Sequence, residues 1–160
     1  MKTPLSRMKI RKESLSNIFG MVRNAGHRAH QGWDLMAVVG TPVYAISDGT
    51  IVDTGFSGDY GNYVILEFNY YEKKYFAFYA HLSQISKQKG DCVIAGEVIG
   101  NTGKTGNAAK LNSSEDHLHF EIRTSKNLGK GLTGRIDPGE LLGYQYYACA
   151  EEPNEQSLME

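Results

Sequence analysis

Residues 63–81 read YVILEFNYYEKKYFAFYAH, two alternating runs rich in aromatic and apolar residues that turn back on each other across Asn69 to Lys74. Side chains on a strand alternate faces every two residues, and Tyr, Phe, Val and Ile suit a pleated, half-buried surface. Tyr63, Ile65 and Glu67 therefore alternate with Val64, Leu66 and Phe68, and one of those faces is expected to be buried. The returning run divides into Tyr75-Ala77-Tyr79-His81 and Phe76-Phe78-Ala80, which puts His81 at a strand end on the face of two tyrosines. This pair of runs decides the class: mainly β, with antiparallel strands.

The flanks read the same way. Upstream, Pro42 to Ile46 and Thr50 to Thr54 are strand-like and predict a hairpin about the Ser47-Asp48-Gly49 turn. Further back, Gly26 to Gly32 looks irregular, so His30 is expected on a loop, and Leu15 to Arg23 predicts a short helical turn or an entry loop. Downstream, Gly90 to Gly100 predicts short strands cornered by glycine, Asn101 to Asp116 a long polar loop, and His117 to Arg123 a further strand. No helix of convincing length is expected between Gly40 and Arg123, and there is no internal repeat.

At 160 residues the chain is about one domain long and can bury a core without help from disulfides. The reading divides it into a basic N-terminal arm over residues 1–18, a domain over 19–143 and an acidic C-terminal tail over 144–160. The arm is expected to be solvated or frayed. A net charge of -1 gives no general attraction to nucleic acid or an anionic membrane, so a local site must choose the ligand. Cys92 and Cys149 form no CxxC pair and leave the redox compartment open. There is no apolar run of membrane-spanning or signal-peptide length.

Four of the five histidines fall where chemistry would use them: His30 four residues before Asp34, His81 at a strand end, and His117 with His119. Residues two apart on a strand share a face about 6.5 to 7 Å apart, so both histidines of the HLH triplet look into one site. Spacing alone does not say which of them binds a metal. A hydrolytic zinc takes three nitrogen or carboxylate ligands and keeps its fourth position for water, whose pKa falls to roughly 7. Two histidines and one aspartate meet that need. The same set suits iron in a facial triad, but the extra histidines beside it favour zinc and proton transfer. His27 is read as a loop side chain. Glu121, two residues past His119, is a candidate to orient that imidazole.

The motifs HQGWD (30–34), GTPVYAISDGTIV (40–52), YGNYVILEF (60–68), YAHLS (79–83), GDCVIAGEVIGNTGKTGN (90–107) and HLHFEIR (117–123) resemble the lysostaphin/LytM-type zinc metallopeptidases, which are peptidoglycan endopeptidases. The resemblance runs from about Phe19 to Leu142. It implies a single compact antiparallel β-sheet domain, like a duplicated hybrid motif, with long loops that form a groove. It further implies one Zn²⁺ held by His30, Asp34 and His119, with His81 and His117 as catalytic histidines that do not bind the metal. The implied substrate is the peptide stem or cross-bridge of peptidoglycan, cut by a monomer. A non-catalytic module of the same fold, which binds peptidoglycan or activates another hydrolase, is the alternative, but relatives of that kind usually lack one or more metal residues and all are present here.

Two departures bear on specificity. Members that cut oligoglycine bridges carry a tyrosine shortly before the first ligand; here the first tyrosine is Tyr44, and Asn24 stands in that neighbourhood. The residues before HLH are a polar loop ending in Glu115-Asp116, which predicts a different groove wall. The expected place of action is the periplasm or cell wall. With no export signal visible, the expectation is either a piece of a longer exported protein or an antibacterial effector delivered by a specialised secretion system. The effector version predicts a small immunity protein that plugs the groove.

Overall fold

The computed structural model describes residues 1–144; the expected acidic tail beyond Tyr144, with Cys149, lies outside the described residues. The strands in chain order are β1 (Gly20–Arg23), β2 (Arg28–His30), β3 (Trp33–Met36), β4 (Pro42–Tyr44), β5 (Gly49–Ser57), β6 (Gly61–Tyr70), β7 (Lys73–Ile85), β8 (Cys92–Val93), β9 (Val98–Thr102), β10 (His117–Arg123) and β11 (Arg135–Ile136). β1 and β2 form a small sheet of their own, and the other nine strands form one antiparallel sheet. Helix is confined, among the described residues, to short 3₁₀ turns and one α-turn, α1 (Gly139–Leu142). None of it is long and apolar enough to cross a membrane.

β6 and β7 are the long pair expected from residues 63–81, in register from Phe68 opposite Tyr75 to Val64 opposite Tyr79. Val64, Leu66, Phe68, Ala77 and Tyr79 enter the main core with Leu118, Phe120 and Ile122 of β10. The opposite face is covered too: Ile65, Phe76, Phe78 and Ala80 form a second cluster against Tyr60 and Tyr63. All seven residues of β10 are consequently buried, with the even positions on the core face and His117, His119, Glu121 and Arg123 on the other.

Three expectations change. The segments about Ser47-Asp48-Gly49 do not form a hairpin, because β4 pairs with β9 while β5 pairs with β6 and β8. The N-terminal arm is not frayed: Leu5 and Ile10 are in the core, and its backbone bonds to Tyr44, Ile46 and Met36. Apolar residues placed among the charges of that arm give it something to bury, which outweighs the solvation of its lysines. His30 lies on the short strand β2, not on a loop, and Asp34 follows on β3.

Candidate metal centre

β10 gathers the site because it is bordered on both edges. His119 is directly opposite Asp34 of β3 on one side and Ala80 of β7 on the other. Direct cross-strand partners bring their side chains together on one face, so Asp34 and His119 meet although they are 85 residues apart. His30 arrives from β2 through the Gln31-Gly32 link. A Cβ on Gly32 would lie 2.1 Å from the Phe120 carbonyl oxygen, so only glycine lets this link press against β10.

His81 reaches the site by a different device. The β6–β7 register shifts between Val64↔Tyr79 and Asn62↔Leu82, leaving one extra residue in β7, and His81 has φ 61. This bulge turns its side chain away from the face of Tyr75 and Tyr79, which was the expectation, and toward His117 and His119, with ring centroids 5.0 and 6.1 Å away. The backbone N–H of His81 donates to Tyr60 O at 2.7 Å, which fixes the bulge.

One donor atom from each of His30, Asp34 and His119 lies within 4.8 Å of the other two, and all three residues are buried. Their outer hydrogen bonds select the inner atoms. His30 Nδ1 donates to Ile18 O at 2.9 Å, leaving Nε2 for the centre; His119 Nε2 donates to Glu121 Oε2 at 2.7 Å, leaving Nδ1. A carbonyl oxygen only accepts, so the tautomer of His30 follows from its partner. Asp34 Oδ2 is taken by Arg23 at 3.0 Å and Arg11 at 3.4 Å, which turns Oδ1 toward His119 Nδ1 at 2.8 Å and His30 Nε2 at 3.1 Å. Two imidazole nitrogens and one carboxylate oxygen, each steered by a further hydrogen bond, are a donor set that fits Zn²⁺.

His81 and His117 are held alike. His81 Nδ1 donates to Thr105 O at 2.8 Å and His117 Nδ1 to Glu115 O at 2.9 Å, so both present Nε2 inward. His117 Nε2 is 3.7 Å from Asp34 Oδ1. Burial, then the charges of His119 and His117, depress His81 to about 4, and burial also lowers His117. Both imidazoles are thus neutral near neutral pH. Burial works against protonation of His119, yet the hydrogen bonds its ring donates to Asp34 and Glu121 carry it up to about 9. Asp34 and Glu121 keep their charge despite burial, because imidazoles bond to both and two arginines flank Glu121.

Behind His119, Glu121 Oε1 accepts from Arg123 Nε at 2.8 Å and Arg135 Nε at 2.7 Å. Gln31 bridges Glu121 and the hydroxyl of Tyr60, whose ring stacks on His119 at 5.9 Å. The contact with His119 expected of Glu121 is therefore seen, whereas the places of Arg11, Arg23, Gln31, Tyr60 and Arg135 in the site are not legible in the sequence. Only the basic character of residues 1–14 hinted at Arg11. The centre opens into a groove of about 940 Å³, which His27 also lines.

The sequence profile of Peptidase family M23 matches residues 28–131. A DD-carboxypeptidase/endopeptidase, Mpg, of Neisseria meningitidis serogroup B is 43% identical over 96 residues, covering 60% of this chain and 20% of that protein. The chain thus spans about a fifth of the length of such curated relatives. Among solved structures, the catalytic domain of the antimicrobial peptidase lysostaphin from Staphylococcus simulans superimposes with TM-score 0.64 at 32% identity, covering 79% of this chain and 89% of that one. A zinc-containing peptidase from Vibrio cholerae gives 0.58 at 30% identity, covering 76% and 37%. The profile takes in both strands that carry His30 and Asp34, the His81 bulge and all of β10, and on that match the chain belongs to Peptidase family M23.

Proposed function

We propose that this chain is a zinc-dependent endopeptidase that hydrolyses peptide cross-links of bacterial peptidoglycan. His30 Nε2, Asp34 Oδ1 and His119 Nδ1 are assigned as the ligands of one ion, and His81 and His117 as the groups that move protons. The observation that carries this reading is the convergence of three buried donors whose inner atoms are selected by hydrogen bonds on their outer side. When bound, Zn²⁺ supplies a Lewis acid that polarises a peptide carbonyl and acidifies water to a pKa of roughly 7.

The chain's own residues do the rest. His81 and His117 are neutral, with Nε2 lone pairs turned into the groove, so each can take a proton from attacking water and pass it to the leaving amine. The carbonyls of Thr105 and Glu115 hold the two rings and stabilise the imidazolium that forms on proton uptake. The Tyr60 ring walls the groove beside His119. A merely binding module has no need of two neutral, oriented imidazoles next to a complete donor set.

Elemental analysis of the purified chain is expected to give one zinc per chain, lost in His119→Ala. Incubation with purified sacculi is expected to release muropeptides with new amino termini, located by mass spectrometry. Stoichiometric zinc retained by His119→Ala, or sacculi left intact by the zinc-loaded chain, would overturn the reading. Peptidoglycan places the action outside the cytoplasmic membrane. In the antibacterial version, lysis of a producing cell follows only when the chain is directed to the periplasm, and a cognate immunity protein suppresses it.

A further inference from the structure

The hairpin that delivers His30 closes on two arginines. Arg23 of β1 and Arg28 of β2 are direct cross-strand partners, and like charges at such a pair destabilise a sheet. Arg11 adds a third guanidinium, which meets Arg23 at Asp34 Oδ2. All three line the groove over His30, Asp34 and His119. The carboxylate nearest them, Asp34, is already engaged by Arg23 and Arg11 and faces the metal centre with its other oxygen. The groove's other acid, Asp59, pairs with Lys130 at 3.3 Å. The exposed Arg28 side chain takes part in no hydrogen bond or ion pair among the described residues.

An unmatched cation kept opposite another cation costs stability, and an anion from outside the chain removes that cost. Arg28 also has the right address. It lies two residues before His30 on the same strand, hence on the same side and about 6.5 to 7 Å along it. An extended peptide advances roughly 3.3 to 3.6 Å per residue, so a group that Arg28 meets lies about two residues from the bond under attack. The planar guanidinium fork suits a carboxylate, which it binds through two parallel hydrogen bonds.

We propose that Arg28, backed by Arg23 and Arg11, is a specificity-determining residue that receives a free carboxylate of the substrate peptide near the scissile bond. The proposal rests on the endopeptidase reading and narrows its substrate class to acidic peptides, setting aside neutral bridges such as oligoglycine. The carboxylate belongs either to an amino-acid side chain within the peptide or to its C-terminus. Both supply the same chemistry to Arg28.

The test uses synthetic cross-linked peptides in three forms: with free carboxylates, with the side-chain carboxylate converted to an amide, and with the C-terminus converted to an amide. For the full zinc-loaded chain, kcat/KM is expected to fall roughly ten- to hundredfold for one of the two amidated forms, the worth of one charge-assisted hydrogen bond, and that form identifies the source. Arg28→Gln is expected to bring the acid-to-amide ratio close to one, and Arg28→Lys to restore part of it. The Tm of Arg28→Gln should hold or rise, since the like-charge pair is relieved, whereas a merely structural arginine would lower it. A wild-type ratio of one, or a ratio that survives in Arg28→Gln, overturns the inference.

Calorimetry with the same peptides, on zinc-loaded and metal-free chain, separates the two levels of argument. A chain that cleaves none of the peptides yet binds the acid form more tightly removes the endopeptidase reading and keeps the anion subsite. Cleavage of all forms with equal affinity removes the subsite alone.

Discussion

Glu121→Gln tests how the proposed metal centre is held. Glu121 is fully buried and every neighbour of its carboxylate is a donor: Arg123 and Arg135 on Oε1, His119 and Gln31 on Oε2. Glutamine has nearly the same shape, but it offers one acceptor oxygen and puts an NH₂ group against donors at the other position. It also leaves two buried guanidiniums without a counter-charge, since the Arg123 and Arg135 side chains are only 5% and 1% exposed. Removing one partner of a buried ionic cluster costs about 3 to 5 kcal/mol. In a chain of this size that corresponds to a fall in Tm of roughly 6 to 20 °C. Urea denaturation of metal-free protein reads the loss directly, and a zinc titration of the folded variant should show affinity down roughly 10- to 100-fold as His119 loses its orienting acceptor. A change under about 0.5 kcal/mol would refute the reasoning, because it would mean that the arginines find other acceptors at no cost.

Three further perturbations follow from named contacts. His81→Ala should retain zinc while turnover on muropeptides falls about 10²- to 10⁴-fold, and undiminished turnover would remove its proton-transfer role. Gly61→Ala puts a Cβ 2.2 Å from Thr105 Oγ1 at φ +66, so it should cost about 1 to 3 kcal/mol in denaturation and displace the Thr105 carbonyl that holds His81, lowering kcat at unchanged zinc content. Arg11→Ala leaves Asp34 Oδ2 with Arg23 alone; zinc affinity is expected to drop on the order of tenfold by competition with a chelator, and an unchanged affinity would show that Arg23 suffices.

What the sequence discloses and what it hides divide by range. The alternation in HLHFEIR is local, and the structure keeps it: three apolar residues face the core and four polar ones face the site. Alternation also marked out β6 and β7. It did not reveal that β4 pairs with β9, since strand partners are a non-local choice that turn residues such as Ser47-Asp48-Gly49 only bias. Alternation puts His81 on the wrong face because a bulge adds one residue to the period of two, and nothing in Tyr79-Ala80-His81 announces it. Arg11 looked like part of a solvated charge run; its value lies in reaching Asp34, a contact that exists only once Leu5 and Ile10 are packed.

The strict alternation of β10 also explains how a polar site survives inside a sheet buried on both sides. A slip of one residue would turn Leu118, Phe120 and Ile122 into the groove and drive two imidazoles, Glu121 and Arg123 into the core. Each exposed apolar side chain forfeits about 1.5 to 3 kcal/mol, and each stranded charge costs several more. The two errors add, so the native register is preferred by far more than any single contact in the site contributes. Pairing to β3 on one edge and β7 on the other fixes the same register from both sides. His119 is therefore set opposite Asp34 by the packing of the whole strand.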